Sequence, residues 1–347
     1  MGLQGSRVQI SPLRPRRPDL CSAFFLLVMI VHNIKPHRIY LFLILWTLGG
    51  CSHSPEGPRT FQLDWQAIDS LNAQLPPSIT VYFSENRRIP VRAWLVKVQP
   101  DSMLDVQVVV SEDQDRRETP QEFADRLQAA VIINGGYFLM DQTPTSHVGL
   151  VKSRGRIVEH TLRSIIRDRQ RYFVSRGAVG FDSTDHMDIA WITEKDDVLY
   201  ALERPIPNAS NRPAEAGDVP SWEPWNPSDA LQAGPVLIAD GKMTIPVEEE
   251  AFFHTSIPKV HPRTAVGYDT QGNQYYLVVD GRQPQSRGMY LEELARTLLD
   301  LGCVEGLNLD GGGSSAIIVR GTLLNRPAGS TQQREVMSAI AIMDRNE

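Results

Sequence analysis

Three polar residues each stand where an apolar run meets glycine: Asn134 in VIINGGYF, Asp280 in LVVDGR and Asp310 in GLNLDGGGSS. Each run reads as a strand, so a shared sheet edge would gather the three polar heads in one place. Asn-Gly and Asp-Gly are also common hairpin dipeptides, and each motif can equally be a turn. The run Gly311, Gly312 and Gly313 adds backbone amides that can approach an anion closely, because no Cβ stands in the way. It is not a nucleotide loop. No Lys follows at Walker spacing, the third Gly of the dinucleotide fingerprint is missing, and strand-like AIIV comes next instead of a helix.

Asp280 and Asp310 form a carboxylate pair of the kind that glycoside hydrolysis uses, one to attack or activate water and one to protonate the leaving oxygen. A sugar phosphodiester changes the demand. Its leaving group is already a good one, so a general acid matters less and an anion-binding cation matters more. Arg263 in HPRTAVG and Arg282 in DGRQ answer that need, since a guanidinium matches phosphate oxygens in pairs. Ser314 and Ser315 could donate hydroxyls to a phosphate or sugar. A serine nucleophile is the alternative, with His254 or His261 as base if folding brings either near. The G-x-S-x-G elbow is broken, however, by Ala316. Asp310, Asp280 and Asn134 are hard oxygen ligands that could hold a divalent cation. No His-rich or EF-hand spacing supports that, so no cofactor is required and a metal is a side hypothesis. Cys303 stands alone in LGCVEG and reads as a small buried hydrophobe.

The elements that must position these residues are legible in outline. Alternation and β-branched content predict strands at Ile79–Phe83, Val91–Val98 and Leu104–Val110. Thr119 as N-cap, Pro120 at the first helical position and Glu122 as its capping-box partner predict a helix over Thr119–Ala130. A short amphipathic helix is expected at Trp65–Leu71, and short strands and loops between 140 and 260. Within that stretch, Pro205–Pro227 reads as a long surface loop. AVGYD and QYYLVVD form a hairpin around TQGN. MYLEELARTLLDLG is an amphipathic helix with Gly302 just past its end. VEGLNLD, SAIIVRG and VMSAIAIM close the chain as strands.

From PRTAVG through VVDGR and LEELA to NLDGGGS, over Arg263 to Leu324, the ordered motifs resemble the phosphodiester glycosidase family. NGGYF and LQAGPVLIADGK resemble its upstream and central motifs, so the likeness covers roughly residues 100–344. The resemblance implies hydrolysis of a sugar-1-phosphodiester. It implies an α+β fold: mixed, largely antiparallel sheets, a few flanking helices, and an active cleft at glycine-rich strand ends. It carries an active-site cluster onto Asn134, Gly135, Gly136, Arg263, Asp280, Gly281, Asn308, Asp310, Gly311, Gly312, Gly313 and Ser314; Arg282 departs from the family's Gln and joins the substrate-binding candidates on its own chemistry. Asp310 is the first choice as nucleophile or base and Asp280 the second. Arg263 and the Gly311–Gly313 amides would hold the phosphodiester, and Asn134 and Ser314 the sugar hydroxyls.

The first fifty residues read as an export leader. Lys35, His37 and Arg38 precede the apolar IYLFLILWTL, and LGGC then resembles a bacterial lipobox with Cys51 as the lipidated residue. That run is too short to span a bilayer, which takes roughly 20 apolar residues. Met29 is a natural start, which would leave the residues before it outside the protein. The expected organisation is a leader at 1–50, a lipidated tether at 51–60, an N-terminal segment at 61–100 and the glycosidase domain at 101–345. Beyond Cys51 the chain holds 29 Lys and Arg against 40 Asp and Glu, a balance of -11. Such a body does not grip nucleic acid through its overall field. The expected partners are a carbohydrate phosphodiester and, through the lipid, a membrane facing the periplasm or cell envelope. A non-catalytic lipoprotein that binds envelope glycan or exopolysaccharide is the other reading.

Overall fold

The computed structural model describes residues 62–215, 219–330 and 332–345, all within the compact unit Pro58–Glu347. The leader and Cys51 lie outside the described residues.

Three antiparallel sheets carry the fold. The largest has eight strands, in the order Gln66–Ala67, Ile79–Asn86, Val91–Val98, Gln274–Val279, Arg263–Asp269, Cys303–Asn308, Val236–Ala239 and Lys242–Met243. A five-stranded sheet runs Thr322–Leu323, Ile317–Val319, Val131–Asn134, Ser338–Asp344, Leu104–Val110. A seven-stranded sheet is built mostly from the middle of the chain, and Ser164–Arg167 pairs with Gln170–Phe173 as a separate hairpin.

Side-chain alternation explains how these pack. In Val91–Val98, Trp94, Val96 and Val98 enter a central core shared by all three sheets. Val91, Ala93 and Leu95 point the other way, onto Leu291, Leu294, Ala295 and Leu298 of the helix Leu291–Asp300. The five-stranded sheet repeats the pattern: Ile133 and Ile340 face the central core, while Ile132 and Ala339 pack on Phe123 and Ala124 of the helix Pro120–Leu127. Strands buried on both faces read as near-continuous apolar runs. Leu294→Ala should therefore cost ~2–5 kcal/mol in chemical denaturation, a cavity-forming change.

The helix Pro120–Leu127 begins as its caps require. Thr119 and Glu122 exchange side-chain-to-backbone bonds in a capping box, with Pro120 at its first position. The expected helix at Trp65–Leu71 is instead a strand, Gln66–Ala67, paired to Phe83 and Tyr82, then a single turn, Asp69–Asn72. A segment this short cannot sustain a helix alone. The open edge of Ile79–Asn86 and the side chain of Asn72, bonded to both N–H and C=O of Val81, decide its shape. Among the described residues of 205–227 one strand forms, Trp222–Pro224, against Val198–Leu202.

The strand directions set the edge that gathers the candidate residues. Gln274–Val279 and Cys303–Asn308 both run antiparallel to Arg263–Asp269, which lies between them. Their C-terminal ends therefore emerge together beside Arg263, and Asp280 and Asp310 follow directly. The chain then crosses through Ser314 and Ala316 to Ile317–Val319, which pairs with Val131–Asn134 and brings Asn134 to the same rim.

Candidate active site

Asp310 is the half-buried centre of this rim. The Gly311 amide donates to its Oδ1 at 2.9 Å, and the Ser314 hydroxyl donates to the same carboxylate. Burial pushes its pKa up to about 6, opposed by Ser314, by the charge of Arg334, by Gly311 and by the charge of Arg282. Both arginines lie against the glycine run. A Cβ on Gly312 would stand 3.1 Å from Arg282 Nη2, and one on Gly313 would stand 2.6 Å from Arg334 Nη2. Gly312 also has a φ of +68°, a conformation that favours glycine. Arg334 reaches Ser314 Oγ at 3.5 Å. Arg282 is exposed, and the two guanidiniums repel each other while both face the Asp310 charge. One carboxylate and two cations therefore share one turn.

His261 supports Arg282. Its Nδ1 accepts from Arg282 Nη2 at 3.1 Å, and its Nε2 then donates to the Ser256 carbonyl at 2.8 Å. Burial, with Arg263 and Arg282 alongside, holds its pKa down at about 4. The ring is neutral at pH 7 and both nitrogens are engaged. His254 is bonded to Asp168 and Ser210. Neither histidine is hydrogen-bonded to Ser314 or Ser315, and Ser315 Oγ is buried without a partner among the described residues. A Ser–His pair is not assembled here.

Asp280 shares the edge but not the exposure: it is fully buried. Its Oδ1 accepts from the Arg326 amide at 2.9 Å and from Asn325 Nδ2 at 3.2 Å. Its Oδ2 is enclosed and unpartnered among the described residues. Burial raises its pKa to about 6.

Asn134 is also fully buried and spends every bond it can make. Oδ1 accepts from Thr264 Oγ1 at 2.7 Å and from the Ala316 amide at 3.1 Å. Nδ2 donates to the carbonyls of Asp310 at 2.7 Å and Gly135 at 3.4 Å. It is a clasp between strand ends, with nothing left for a sugar hydroxyl or a cation. The expected metal trio of Asp310, Asp280 and Asn134 thus lacks its third ligand.

Arg263 is 3% exposed, and its Nε and Nη2 donate to the carbonyls of Met289, Ile257 and Lys259. The guanidinium was expected on phosphate; it holds the 257–263 loop and the Met289 segment instead. The glycine amides also differ from expectation. Gly311 N–H serves Asp310, and Gly312 N–H donates to the Pro262 carbonyl at 3.0 Å. Gly135, Gly136 and Gly281 are close-approach positions. A Cβ there would come within 2.8 Å of Ser338 O, 2.6 Å of His147 Nε2 and 2.6 Å of Pro262 N, respectively. Asn308 Nδ2 donates to Tyr137 Oη at 3.0 Å and to the Gly234 carbonyl at 2.9 Å. The Tyr137 hydroxyl in turn donates to Gly234 O at 2.8 Å. Cys303 is buried, its thiol pushed up by desolvation.

A family model described as phosphodiester glycosidase matches residues 127–343. The chain belongs to the phosphodiester glycosidase family. Human N-acetylglucosamine-1-phosphodiester alpha-N-acetylglucosaminidase is 26% identical over 219 residues, covering 62% of this chain and 37% of that protein. The bovine enzyme of that name is 37% identical over 117 residues, covering 31% of this chain and 22% of its own length. The chain thus spans little more than a third of these curated relatives at most. Among solved structures, the zebrafish catalytic domain of that name, auto-inhibited by its pro-peptide, superposes with a TM-score of 0.56 at 20% identity. It covers 82% of this chain and 89% of that one. A hypothetical protein from Synechocystis gives 0.53 at 19% identity, covering 81% and 68%. Both likenesses concern the fold.

Two residues of this family member were not anticipated at the rim. Arg334 lies in the polar stretch QQREV, which has no periodicity to betray it; only the fold returns it to Gly313. Tyr137 did carry a signal, since it stands inside NGGYF two residues past the glycine that begins the motif's turn.

Proposed function

We propose that this chain hydrolyses the glycosidic bond of a sugar-1-phosphodiester, of the N-acetylglucosamine-1-phosphodiester kind, in the cell envelope. One observation carries the reading: a half-buried carboxylate, Asp310, opens a glycine turn against which two guanidiniums, Arg282 and Arg334, are packed, and it feels the charge of both. An ordinary glycoside needs a second carboxyl to protonate its leaving oxygen. A phosphodiester departs as a phosphomonoester, whose oxygen is stable as an anion. It needs cations beside it more than an acid. The second carboxyl, Asp280, is enclosed, with one oxygen held by the fold and no exposure, so the rim offers one accessible carboxylate and two cations, as that leaving group demands.

In this reading Asp310 acts at the anomeric carbon, directly or by taking a proton from water. The bond from that carbon to the phosphate oxygen breaks, and the phosphate keeps the electron pair. Arg282 and Arg334 hold the phosphate oxygens as its charge grows. Ser314, bonded to Asp310, orients the carboxylate. Asp280, Asn134 and Arg263 keep the strand ends in register and position the turn. The relatives' names support the N-acetylglucosamine phosphodiester as first substrate. The basic and apolar run ending at Cys51 supports an envelope enzyme on a lipid anchor.

The test is hydrolysis of UDP-N-acetylglucosamine, or of a synthetic N-acetylglucosamine-1-phosphodiester, by the purified protein. Release of N-acetylglucosamine that vanishes in Asp310→Asn is expected. Tight binding of the phosphodiester without turnover would instead make the chain a glycan-binding lipoprotein.

A further inference from the structure

A second pair of guanidiniums lies away from the Asp310 turn, and neither has a carboxylate partner among the described residues. Arg176 opens the strand Arg176–Phe181 and is 3% exposed. Its Nε donates to the Glu250 backbone carbonyl at 3.1 Å, and its guanidinium sits 4.0 Å above the Phe252 ring. Its Nη2 is sealed from solvent with no hydrogen-bond partner among the described residues. Arg167 ends the strand Ser164–Arg167, and its Nε is sealed and unpartnered in the same way. The acid whose charge Arg176 feels does not repair this. The Glu250 carboxylate accepts from the Gly177 and Val236 amides and from Trp191 Nε1.

Arg176 touches the segment 250–254 directly, and the hairpin that carries Arg167 packs on the same segment. Ile165, Tyr172 and Val174, in and just after the hairpin, pack against Ala251 and Phe253. Asp168, next to Arg167, is bonded to His254 at 2.7 Å. The two cations also feel each other: burial and then the charge of Arg167 hold the pKa of Arg176 down at about 10. A buried guanidinium with an idle N–H is costly, and a second cation beside it adds to the cost. An oxyanion bonded to both would remove both penalties.

This pair is one aromatic ring from the catalytic turn. Phe252 lies between Arg176 and Tyr137, whose ring is 6.0 Å away, and Tyr137 is bonded to Asn308, two residues before Asp310. Outward, the same hairpin carries Arg163, Arg169 and Arg171, all exposed, against the single acid Asp168 in 163–171. That is a basic strip on an otherwise acidic body.

We propose that Arg176 and Arg167 form a second oxyanion site, which takes a further phosphate of a glycan carrying repeated phosphodiesters. The substrate assignment rests on the proposed function; the anion site does not.

The test has two arms. Crystals of the full chain soaked in tungstate, a heavy tetrahedral oxyanion, should show a peak within hydrogen-bonding distance of Arg176 Nη2 and Arg167 Nε. Arg167→Gln should erase it, and Arg176→Lys should weaken it. A peak confined to Arg282 and Arg334, or one at the pair that Arg167→Gln leaves intact, overturns the site. In the second arm, Arg167→Gln should raise KM about tenfold for a substrate with two phosphodiesters, the worth of one charge-assisted bond. It should leave KM for a single phosphodiester unchanged. Equal effects on both substrates overturn the substrate class. If no substrate turns over, the proposed function fails, and the tungstate peak still decides the anion site.

Discussion

Asp280 and Asp310 are close to a controlled pair. Each ends a strand that flanks Arg263–Asp269, each is followed by glycine, and burial lifts each to about 6. Their exposure and their company differ. Asp280 is sealed, with one oxygen held by Asn325 and the Arg326 amide and the other idle. Asp310 is half-buried, with a hydroxyl and two arginine charges trained on it. A raised carboxyl pKa marks burial, and burial alone does not name a reacting group. Access, and cations placed where a leaving group would go, separate the two.

The comparison can be broken in four ways. Asp310→Asn should reduce kcat for a sugar-1-phosphodiester by ~10³-fold or more, the scale for losing a reacting carboxylate. Its melting temperature at pH 8 should not fall. Arg334→Gln and Arg282→Gln should each reduce kcat/KM by ~10²-fold, as loss of one preorganised donor does. A KM change alone would show that the arginines bind the ground state only. Asp280→Asn should leave kcat within ~10-fold of wild type, since a positioned amide keeps the Oδ1 contacts. If it were as inactive as Asp310→Asn, the distinction drawn between the two carboxyls would be wrong.

The smallest effect is in pH. Both carboxyls have folded pKa values above the ordinary 3.8, so the folded state binds the extra protons. Their contribution to stability is present at low pH and is lost as pH rises from 3.8 through about 6. Asp280→Asn and Asp310→Asn should each flatten that decline in denaturation followed from pH 4 to 8. Activity should run the other way and rise through about pH 6 as Asp310 ionises.

Where the physics is local, the sequence was readable. Val91–Val98 and Leu104–Val110 fall where alternation puts them, and Thr119, Pro120 and Glu122 cap their helix as their chemistry requires. The strand-end motifs do meet at one rim, because antiparallel pairing about Arg263–Asp269 leaves them no other place. What stayed hidden was how each polar group spends its bonds. Arg263 and Asn134 have the right types for ligand contacts, yet carbonyls, a hydroxyl and an amide of the fold consume them. Residue type does not reveal that competition, which depends on which backbone groups the topology leaves unsatisfied nearby. Arg334 failed in the opposite sense: an undistinguished residue in a polar stretch becomes a neighbour of Asp310 only after the Ser338–Asp344 strand docks.

The clasp made by Asn134 has a consequence for the glycine run it adjoins. Three consecutive glycines are the loosest stretch a chain can have before folding. Here the segment is stitched at Asp310 to Gly135, at Gly312 to Pro262 and at Ala316 to Asn134. Its disorder is therefore surrendered once, when the protein folds, and an arriving ligand does not have to freeze it again. Hydrogen exchange should show this directly. The amides of Asp310, Gly312 and Ala316 should exchange among the slowest in the molecule, despite a sequence that looks like a flexible linker.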